Sequence, residues 1–392
     1  MERIGIYGGT FNPPHLGHVR AVQYALEALA LDKMLVIPTH ISPHKQMPED
    51  SPNPEQRLAM LRMCFNGEEK VNVSSVELDR GGTSYTYETV AQIKKEYPGS
   101  ELVLFMGTDM FLSFLTWKKP EEILKSASIA VLYRGQKGEK DEIAKQKETL
   151  EDMGATIYLV DNPVTVISST DLRRMLFFRC ADAHLPAGQE SYIYENKLYG
   201  TGRTYQNLSI EELEKAVIRL LKPSRVNHVL GCRNTAVALA RRWGANELDA
   251  ARAALLHDIT KALDGPLQVA LCESYGVALS DFARENPKTI HALTGSLVAQ
   301  RIFGENPSVV SAVRSHTTGK GKMNLLEKII YVADYIEPNR DFPGVEKLRY
   351  LANTDIDAAL KLGLTMTVNM LREQGKEISK ESLDALQWLE NI

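Results

Sequence analysis

Two short stretches concentrate the residues able to do chemistry. GGTFNPPHLGH, at 8–18, follows the first apolar run and sets His15 and His18 three apart. Gly8 and Gly9 let backbone approach a ligand with no Cβ in the way. The two histidines fall around the start of the next helix, where unsatisfied N–H groups and the dipole favour phosphate. Imidazoles there can donate hydrogen bonds to phosphoryl oxygens. The second stretch, LLHDITK at 255–261, places His257 beside Asp258 inside an apolar helix. Such a pair is costly to bury unless it is partnered or holds a metal. His228, His291, His316 and Asp334 stand on other predicted helices or at their ends. Imidazoles and carboxylates together suit Fe, Mn, Zn or Mg. Four histidines and two aspartates are more than one ion needs; they fit two ions bridged by a carboxylate, with Asp258 as the natural bridge. Singly, each has a plainer reading: His15 as a helix cap, His291 as a surface residue, Asp334 as a partner of Arg340. It is the joint pattern that points to chemistry.

The elements that must position these residues change character midway. Up to about residue 165, apolar runs such as RIGIYGG, KMLVIPT, KVNVSSVEL, ELVLFMG, SIAVLYR and ATIYLVD alternate with helical spacings such as LGHVRAVQYALEAL, PEQRLAMLRMCF and YTYETVAQIKKEY. That alternation predicts an α/β domain with a doubly wound parallel sheet. Ligands in such sheets lie beyond the carboxyl ends of the strands, where Gly8, Gly9, His15, Gly107, Asp109 and Arg134 fall. Residues 170–200 read as short helices, and GTGRTYQNL as a linker. From Ile210 onward helical patterns follow one another, including ELDAARAALLHDITKAL as one helix, so the second half is predicted all-α. The expected domains are 1–200 and 210–392, joined by a linker at 201–209.

His15-Leu16-Gly17-His18 resembles the H-x-G-H motif of the nucleotidyltransferase superfamily, and ISSTDLR at 167–173 its I-S-S-T-x-x-R motif. With SPHK (42–45), SYTYET (84–89), MGTD (106–109), TWKKPEEIL (116–124) and YRG (133–135), residues 1–200 are similar to bacterial nicotinate-mononucleotide adenylyltransferases. Many members carry Asp where this chain has Asn12. The nearest competitor in the superfamily is pantetheine-phosphate adenylyltransferase; the SYTYETV run with GTD and Trp117 favours the pyridine substrate. The resemblance implies a Rossmann-like fold and transfer of AMP from ATP to nicotinate mononucleotide, with Mg²⁺ and pyrophosphate release. Such a reaction asks for positioning and charge neutralisation rather than a covalent nucleophile. His18 would stabilise the α-phosphate transition state beside His15, while Lys45 and Arg173 hold the triphosphate. Gly8, Gly9, Thr10, Phe11, Gly107, Asp109, Arg134, Ser168, Ser169 and Thr170 would line the ATP site. Thr86 and Trp117 would contact the pyridine nucleotide, although Trp117 also reads as core packing.

The order H … HD … D, with AALLHDITK, HALTGSLVAQ and SHTTGKGKMNLLEKIIYVADYIEPNR, resembles HD-domain metal-dependent phosphohydrolases. Within them it is similar, over about 210–385, to the symmetrical diadenosine-tetraphosphate hydrolases with a di-iron centre. The resemblance implies an HD-type helical bundle and makes His228, His257, Asp258, His291, His316 and Asp334 the ligands of two divalent metals, iron first and Mn as the alternative. Water activated by those metals would attack phosphorus. Lys261, three residues after Asp258, would neutralise a phosphate, as would Arg225 and, less directly, Arg340.

The bulk numbers agree with two enzymes in one chain. At ~150 residues per domain, 392 residues allow two or three domains. A net charge of −4 argues against a general nucleic-acid binder. Cys64, Cys180, Cys232 and Cys272 form no C-x-x-C and suit a reducing cytoplasm. No apolar run approaches the ~20 residues of a membrane span. The expected partners are ATP, nicotinate mononucleotide and diadenosine tetraphosphate, and a homo-oligomer is compatible with the sequence. Two other readings of the second half stay open: hydrolysis of a different nucleotide, or a sensor that binds a dinucleotide and tunes the transferase.

Overall fold

The computed structural model describes residues 1–133, 138–161 and 167–391. Arg134 and the end of the YRG motif lie outside them. The chain divides into two compact units, Met1–Arg203 and Thr204–Ile392.

The first unit is built on six strands: β1 (Arg3–Gly9), β2 (Lys33–Pro38), β3 (Val71–Val73), β4 (Glu101–Gly107), β5 (Ser128–Tyr133) and β6 (Ile157–Asp161). All pair in parallel, in the order β3-β2-β1-β4-β5-β6. The apolar runs are buried on both faces, and the strand period of two divides each run between two cores. Ile4, Ile6, Leu35, Ile37, Leu102, Leu104, Ile129 and Val131 pack on one side. Met34, Val36, Val103, Phe105, Ala130 and Leu132 pack on the other. The first core is closed by residues of helices Thr86–Glu96, Thr108–Leu112, Pro120–Leu124 and Glu139–Asp152, the second by those of Leu16–Ala28 and Pro54–Cys64.

One predicted strand is corrected. KVNVSSVEL pairs only over Val71–Val73, and Val76–Arg80 is a short helix. β2 ends at Pro38, which has no N–H to carry the ladder on. The chain turns instead and buries Val76 and Glu77, whose carboxylate accepts the Thr89 hydroxyl at 2.6 Å.

The second unit holds helices and no strand among its described residues. Those that carry the site are Pro223–Trp243, Glu247–Leu256, Ile290–Arg301, Pro307–Ser315 and Leu325–Ile336. Helices Gly265–Ser274 and Val345–Thr354 went unread in the sequence. The former hides behind a Gly-Pro start capped by Asp264, whose side chain accepts the Leu267 N–H at 3.0 Å. The predicted helix through LLHDITK is corrected too: it stops at Leu256. Ile259, Lys261 and Leu263 then bond back three residues to Leu256, Asp258 and Thr260. Those tight turns swing the His-Asp pair inward instead of spreading it around a helix. The crossing helix comes close here, since a Cβ on Gly295 would sit 3.4 Å from the His257 carbonyl oxygen.

At the boundary, Thr201 belongs to the first unit, its hydroxyl 2.7 Å from the Leu198 carbonyl. Leu208 belongs to the second, its carbonyl accepting from Arg252 at 2.8 Å. Among the described residues no helix is long and apolar enough to cross a membrane.

Candidate active sites

In the first unit the strand order reverses between β1 and β4, which opens a crevice at their carboxyl ends. Gly8 and Gly107 stand there, and a Cβ on either would meet no atom within 4 Å. That open space suits a phosphate-bearing ligand.

His15 is the N-cap of helix Leu16–Ala28. Its Nδ1 accepts the Gly17 N–H at 3.1 Å, and His18 Nδ1 accepts the His15 N–H at 3.2 Å. The two rings lie 3.8 Å apart, centroid to centroid. A nitrogen that accepts an N–H carries no proton, so this network assigns both ring protons to Nε2. The reciprocal cap therefore does more than close the helix end: it holds both imidazoles as Nε2–H donors, the form that can bind a phosphoryl oxygen.

The histidine loop is clamped from several sides. Arg173 donates to the Asn12 carbonyl at 2.7 Å and to Thr170 Oγ1 at 3.0 Å. Ser169 Oγ donates to the Pro13 carbonyl at 3.1 Å, and Ser168 caps its own helix by accepting the Asp171 N–H at 3.0 Å. The second motif thus meets the first directly. Burial pushes the Arg173 guanidinium below its usual range, although Asp171 and Tyr199 oppose this. Asn12 is buried, its amide donating to Ser51 Oγ at 2.8 Å. Phe11 packs edge-on against His18, with centroids 5.1 Å apart, and the Thr10 carbonyl faces Arg57.

Sequence reasoning missed Arg57 and Gln189. Arg57 is 1% exposed and donates to the carbonyls of Thr10 at 2.8 Å and Thr39 at 2.6 Å. Gln189 donates to the Pro14 carbonyl at 2.8 Å. A signal for Arg57 was present, because it shares the apolar face of its helix with Met60, Leu61 and Cys64. Arg57→Met strands those carbonyls. We expect it to destabilise the unit by about 2–4 kcal/mol. Calorimetry reads this as a lowered Tm; an unchanged Tm would contradict the clamp.

The remaining predicted residues lie farther out. Lys45 is exposed in a turn where Ser42 Oγ accepts its N–H at 3.2 Å. Thr86 opens helix Thr86–Glu96, and Asp109 is exposed in the first turn of Thr108–Leu112. Trp117 is half-buried between Phe114 and His44, at centroid distances of 5.4 and 5.2 Å, with its Nε1 buried and lacking a hydrogen-bond partner. The His40 N–H donates to Ser84 Oγ at 2.9 Å, which ties the SPHK turn to the SYTYET segment.

In the second unit, the structure gathers five of the six predicted ligands around the sixth, the carboxylate of Asp258. Asp258 is fully buried. Its Oδ2 lies 3.5 Å from His257 Nε2 and 3.8 Å from His228 Nε2. Its Oδ1 lies 3.4 Å from His291 Nε2 and 3.7 Å from His316 Nε2. Asp334 Oδ1 joins the first pair, 3.1 Å from His228 Nε2. Nδ1 of His257, His291 and His316 donates to the carbonyls of Ala254, Lys288 and Val313 at 2.6–2.7 Å. His228 Nδ1 faces Glu337 Oε1 at 3.1 Å. With Nδ1 committed in all four rings, four Nε2 lone pairs converge on Asp258.

Lone pairs and carboxylates crowded this closely call for cations. His228 and His257 approach Nε2 to Nε2 at 3.2 Å, and His291 and His316 at 3.1 Å. Asp258 Oδ1 is buried and accepts no hydrogen bond. The donor atoms of His228, His257 and Asp334 lie within 4.8 Å of one another, as do those of His257, Asp258 and His316. The residues present therefore fit divalent metal on both sides of Asp258. The electrostatics agree. Burial, with His316 and Lys261 nearby, pushes His291 down to about 3, which leaves its Nε2 unprotonated at neutral pH. Burial penalises the Asp258 carboxylate, yet His257, His316 and Lys261 hold its pKa well below the usual range. His257 differs: burial disfavours its charged form, but Asp258 and Asp334 outweigh this and raise its pKa, so a cation taking its Nε2 would compete with a proton.

Three cations surround the cluster. Arg225 Nε donates to Asp258 Oδ2 at 2.5 Å, Arg340 Nη2 to Asp334 Oδ1 at 2.6 Å, and Lys261 Nζ lies 3.4 Å from Asp258 Oδ1. Glu337 and Thr317 were not singled out in the sequence. Glu337 follows Asp334 by three residues, and Thr317 follows His316 directly.

Residues 6–175 match the cytidylyltransferase-like family, and residues 225–339 match the HD domain. A protein of Halalkalibacterium halodurans named as a probable nicotinate-nucleotide adenylyltransferase is 35% identical over 54% of this chain and 98% of its own length. The symmetrical bis(5′-nucleosyl)-tetraphosphatase of Bacillus subtilis is 38% identical over 46% of this chain and 96% of its own. A Clostridium acetobutylicum HD superfamily hydrolase described as involved in NAD metabolism superposes with a TM-score of 0.46, at 34% identity, over 47% of this chain and 98% of that one. The chain belongs to both families, as a fusion of a nicotinate-nucleotide adenylyltransferase unit with an HD-domain unit of the symmetrical bis(5′-nucleosyl)-tetraphosphatase kind.

Proposed function

We propose that the chain is a bifunctional enzyme of adenine nucleotides. The first unit transfers AMP from ATP to nicotinate mononucleotide. The second hydrolyses diadenosine tetraphosphate to two ADP.

For the transfer, the carrying observation is the histidine cap that fixes two Nε2–H donors at a helix N-terminus. His18 and His15 donate to the α-phosphate as charge builds on its oxygens during in-line attack by the mononucleotide phosphate. Arg173 and Lys45 take the negative charge of the departing pyrophosphate, while Ser168, Ser169 and Thr170 hold the phosphates at their helix start. Mg²⁺ on the triphosphate supplies further charge neutralisation. Thr86, Asp109 and Trp117 orient the two nucleotides; the half-buried Trp117 face suits a pyridine ring. Mixing ATP with nicotinate mononucleotide and assaying pyrophosphate tests this reading, and no release would overturn it.

For the hydrolysis, the carrying observation is the convergence of four Nε2 lone pairs and Asp334 on Asp258. Divalent cations there, Fe²⁺ or Mn²⁺, supply Lewis acidity at phosphorus and lower the pKa of water. Asp258 would lie between them, and the histidines would hold and orient them. Arg225, Lys261 and Arg340 neutralise the polyphosphate, a charge these side chains can meet from the rim of the cluster. The test is protein loaded anaerobically with Fe²⁺, or with Mn²⁺, and given diadenosine tetraphosphate. ADP as the sole product supports the reading. AMP plus ATP would reject the symmetric cut, and no turnover by metal-loaded protein would reject this substrate.

Metal removal has a thermodynamic signature of its own. A ligand held at 100 times its Kd stabilises the folded state by ~2.7 kcal/mol. Stripping the protein with a chelator should lower the Tm of the second unit by several degrees, and Mn²⁺ should restore it. A melt indifferent to chelator and metal would contradict metal binding at Asp258.

A further inference from the structure

The two sides of Asp258 are built unequally. On the first side, His228, His257 and Asp334 offer two imidazoles and a carboxylate besides Asp258 Oδ2. Arg225 donates there to Asp258 Oδ2 and Arg340 to Asp334 Oδ1, oxygens that each keep a further lone pair, while among the described residues the two imidazole Nε2 atoms face only each other and carboxylates. Behind His228 stands a second carboxylate, Glu337, itself fixed by the N–H and side-chain amide of Asn339, both at 2.8 Å. A carboxylate behind an imidazole raises its basicity as a ligand. Arg225 and Arg340 offset part of this charge, but three carboxylates face two guanidiniums.

On the second side, His291 and His316 face Asp258 Oδ1, and the one further donor grouped with Asp258 and His316 among the described residues, His257, is shared with the first side. Their Nδ1 atoms donate to backbone carbonyls, with no carboxylate behind them. Donors already occupy this side. Lys261 Nζ lies 3.0 Å from His291 Nε2, and Thr317 Oγ1 lies 3.0 Å from both Nε2 atoms. A cation bound here must displace an ammonium group from the lone pair it would use.

We infer that the two metal positions fill in order: the His228–His257–Asp334 side binds tightly, and the His291–His316 side binds weakly, in competition with the Lys261 ammonium. This rests on the dimetal reading above. It also gives Lys261 two places. With the second position unfilled, the ammonium substitutes for the ion. Once the ion enters, the displaced ammonium stands beside it, where a substrate phosphate needs a counter-charge.

The test is a Mn²⁺ titration of the metal-free full-length protein, with unbound Mn²⁺ read by electron paramagnetic resonance. Two classes of site, about ten-fold or more apart in Kd, are expected. His316→Ala should remove the weak class and keep the tight one. Glu337→Gln should weaken the tight class by about 10- to 100-fold. Lys261→Met, at a part-exposed position, should tighten the weak class about ten-fold by removing the competing charge. Two ions bound with equal affinity would overturn the order while leaving the dimetal site intact. A Lys261→Met protein with an unchanged weak class would overturn the competition. Fewer than two ions at saturating Mn²⁺ would overturn the dimetal reading itself.

Discussion

Replacing Asp258 with asparagine should abolish hydrolysis of diadenosine tetraphosphate and leave adenylyl transfer at its normal rate. The side chain keeps its shape but loses its charge and one of its two acceptor oxygens. Both oxygens are in use, Oδ2 toward His228 and His257, Oδ1 toward His291 and His316. An amide NH₂ would point a donor at one of these pairs and repel a cation there. The bridge that Asp258 would form between two cations is lost, and with it several kcal/mol of the Lewis-acid stabilisation they would supply at phosphorus, so kcat should fall by about 10³-fold or more. Metal content should fall as well, because among the described residues no other carboxylate faces both pairs of imidazoles. The variant also leaves Arg225 and Lys261 beside a neutral group, so circular dichroism must accompany the assay. The first unit serves as an internal control, because its histidines and arginines all lie within Met1–Arg203. Wild-type hydrolysis with full metal content would exclude Asp258 as the bridge.

How far these sites could be read in advance followed the range of the interactions involved. The sheet was legible because apolar runs buried on both faces write themselves into consecutive residues. The histidine cap was legible because its members lie three apart. LLHDITK announced its chemistry but not its shape. The sequence continued the helix through it, whereas the structure ends the helix at Leu256 and turns the pair inward on tight turns. Apolar spacing does not report that switch, since Ile259, Ala262 and Leu263 are buried either way. Val76–Arg80 misled in the same manner: its alternation fits a strand, but the neighbouring strand ends at Pro38. Glu337 was harder still, because its partner His228 lies 109 residues away. Arg57 shares a helix face with Met60, Leu61 and Cys64, which signals its burial, but not its role, because the carbonyls it meets belong to Thr10 and Thr39, 47 and 18 residues away.

His18→Ala offers the sharpest test of the first unit, because the side chain has two jobs whose costs differ in kind. As a capping partner it accepts the His15 N–H at 3.2 Å. Losing a cap costs about 1 kcal/mol of stability, a shift of a few degrees in Tm. As an Nε2–H donor aimed at developing phosphoryl charge it is worth far more to the rate. Removing one preorganised donor of this kind costs about 10²–10³-fold in kcat. A purely structural role for His18 therefore predicts a small fall in Tm and a proportionate fall in activity. The catalytic role predicts a fall in kcat of about 10²-fold or more on protein that is still folded, with KM for ATP changed much less. His18→Asn separates the two further: its amide can retain the cap through its oxygen, but the shorter side chain cannot reach where Nε2–H was. If stability recovers in His18→Asn while kcat stays low, the imidazole acts on the phosphate. If kcat recovers along with stability, the motif is a helix cap and the transfer chemistry must be sought in Lys45 and Arg173.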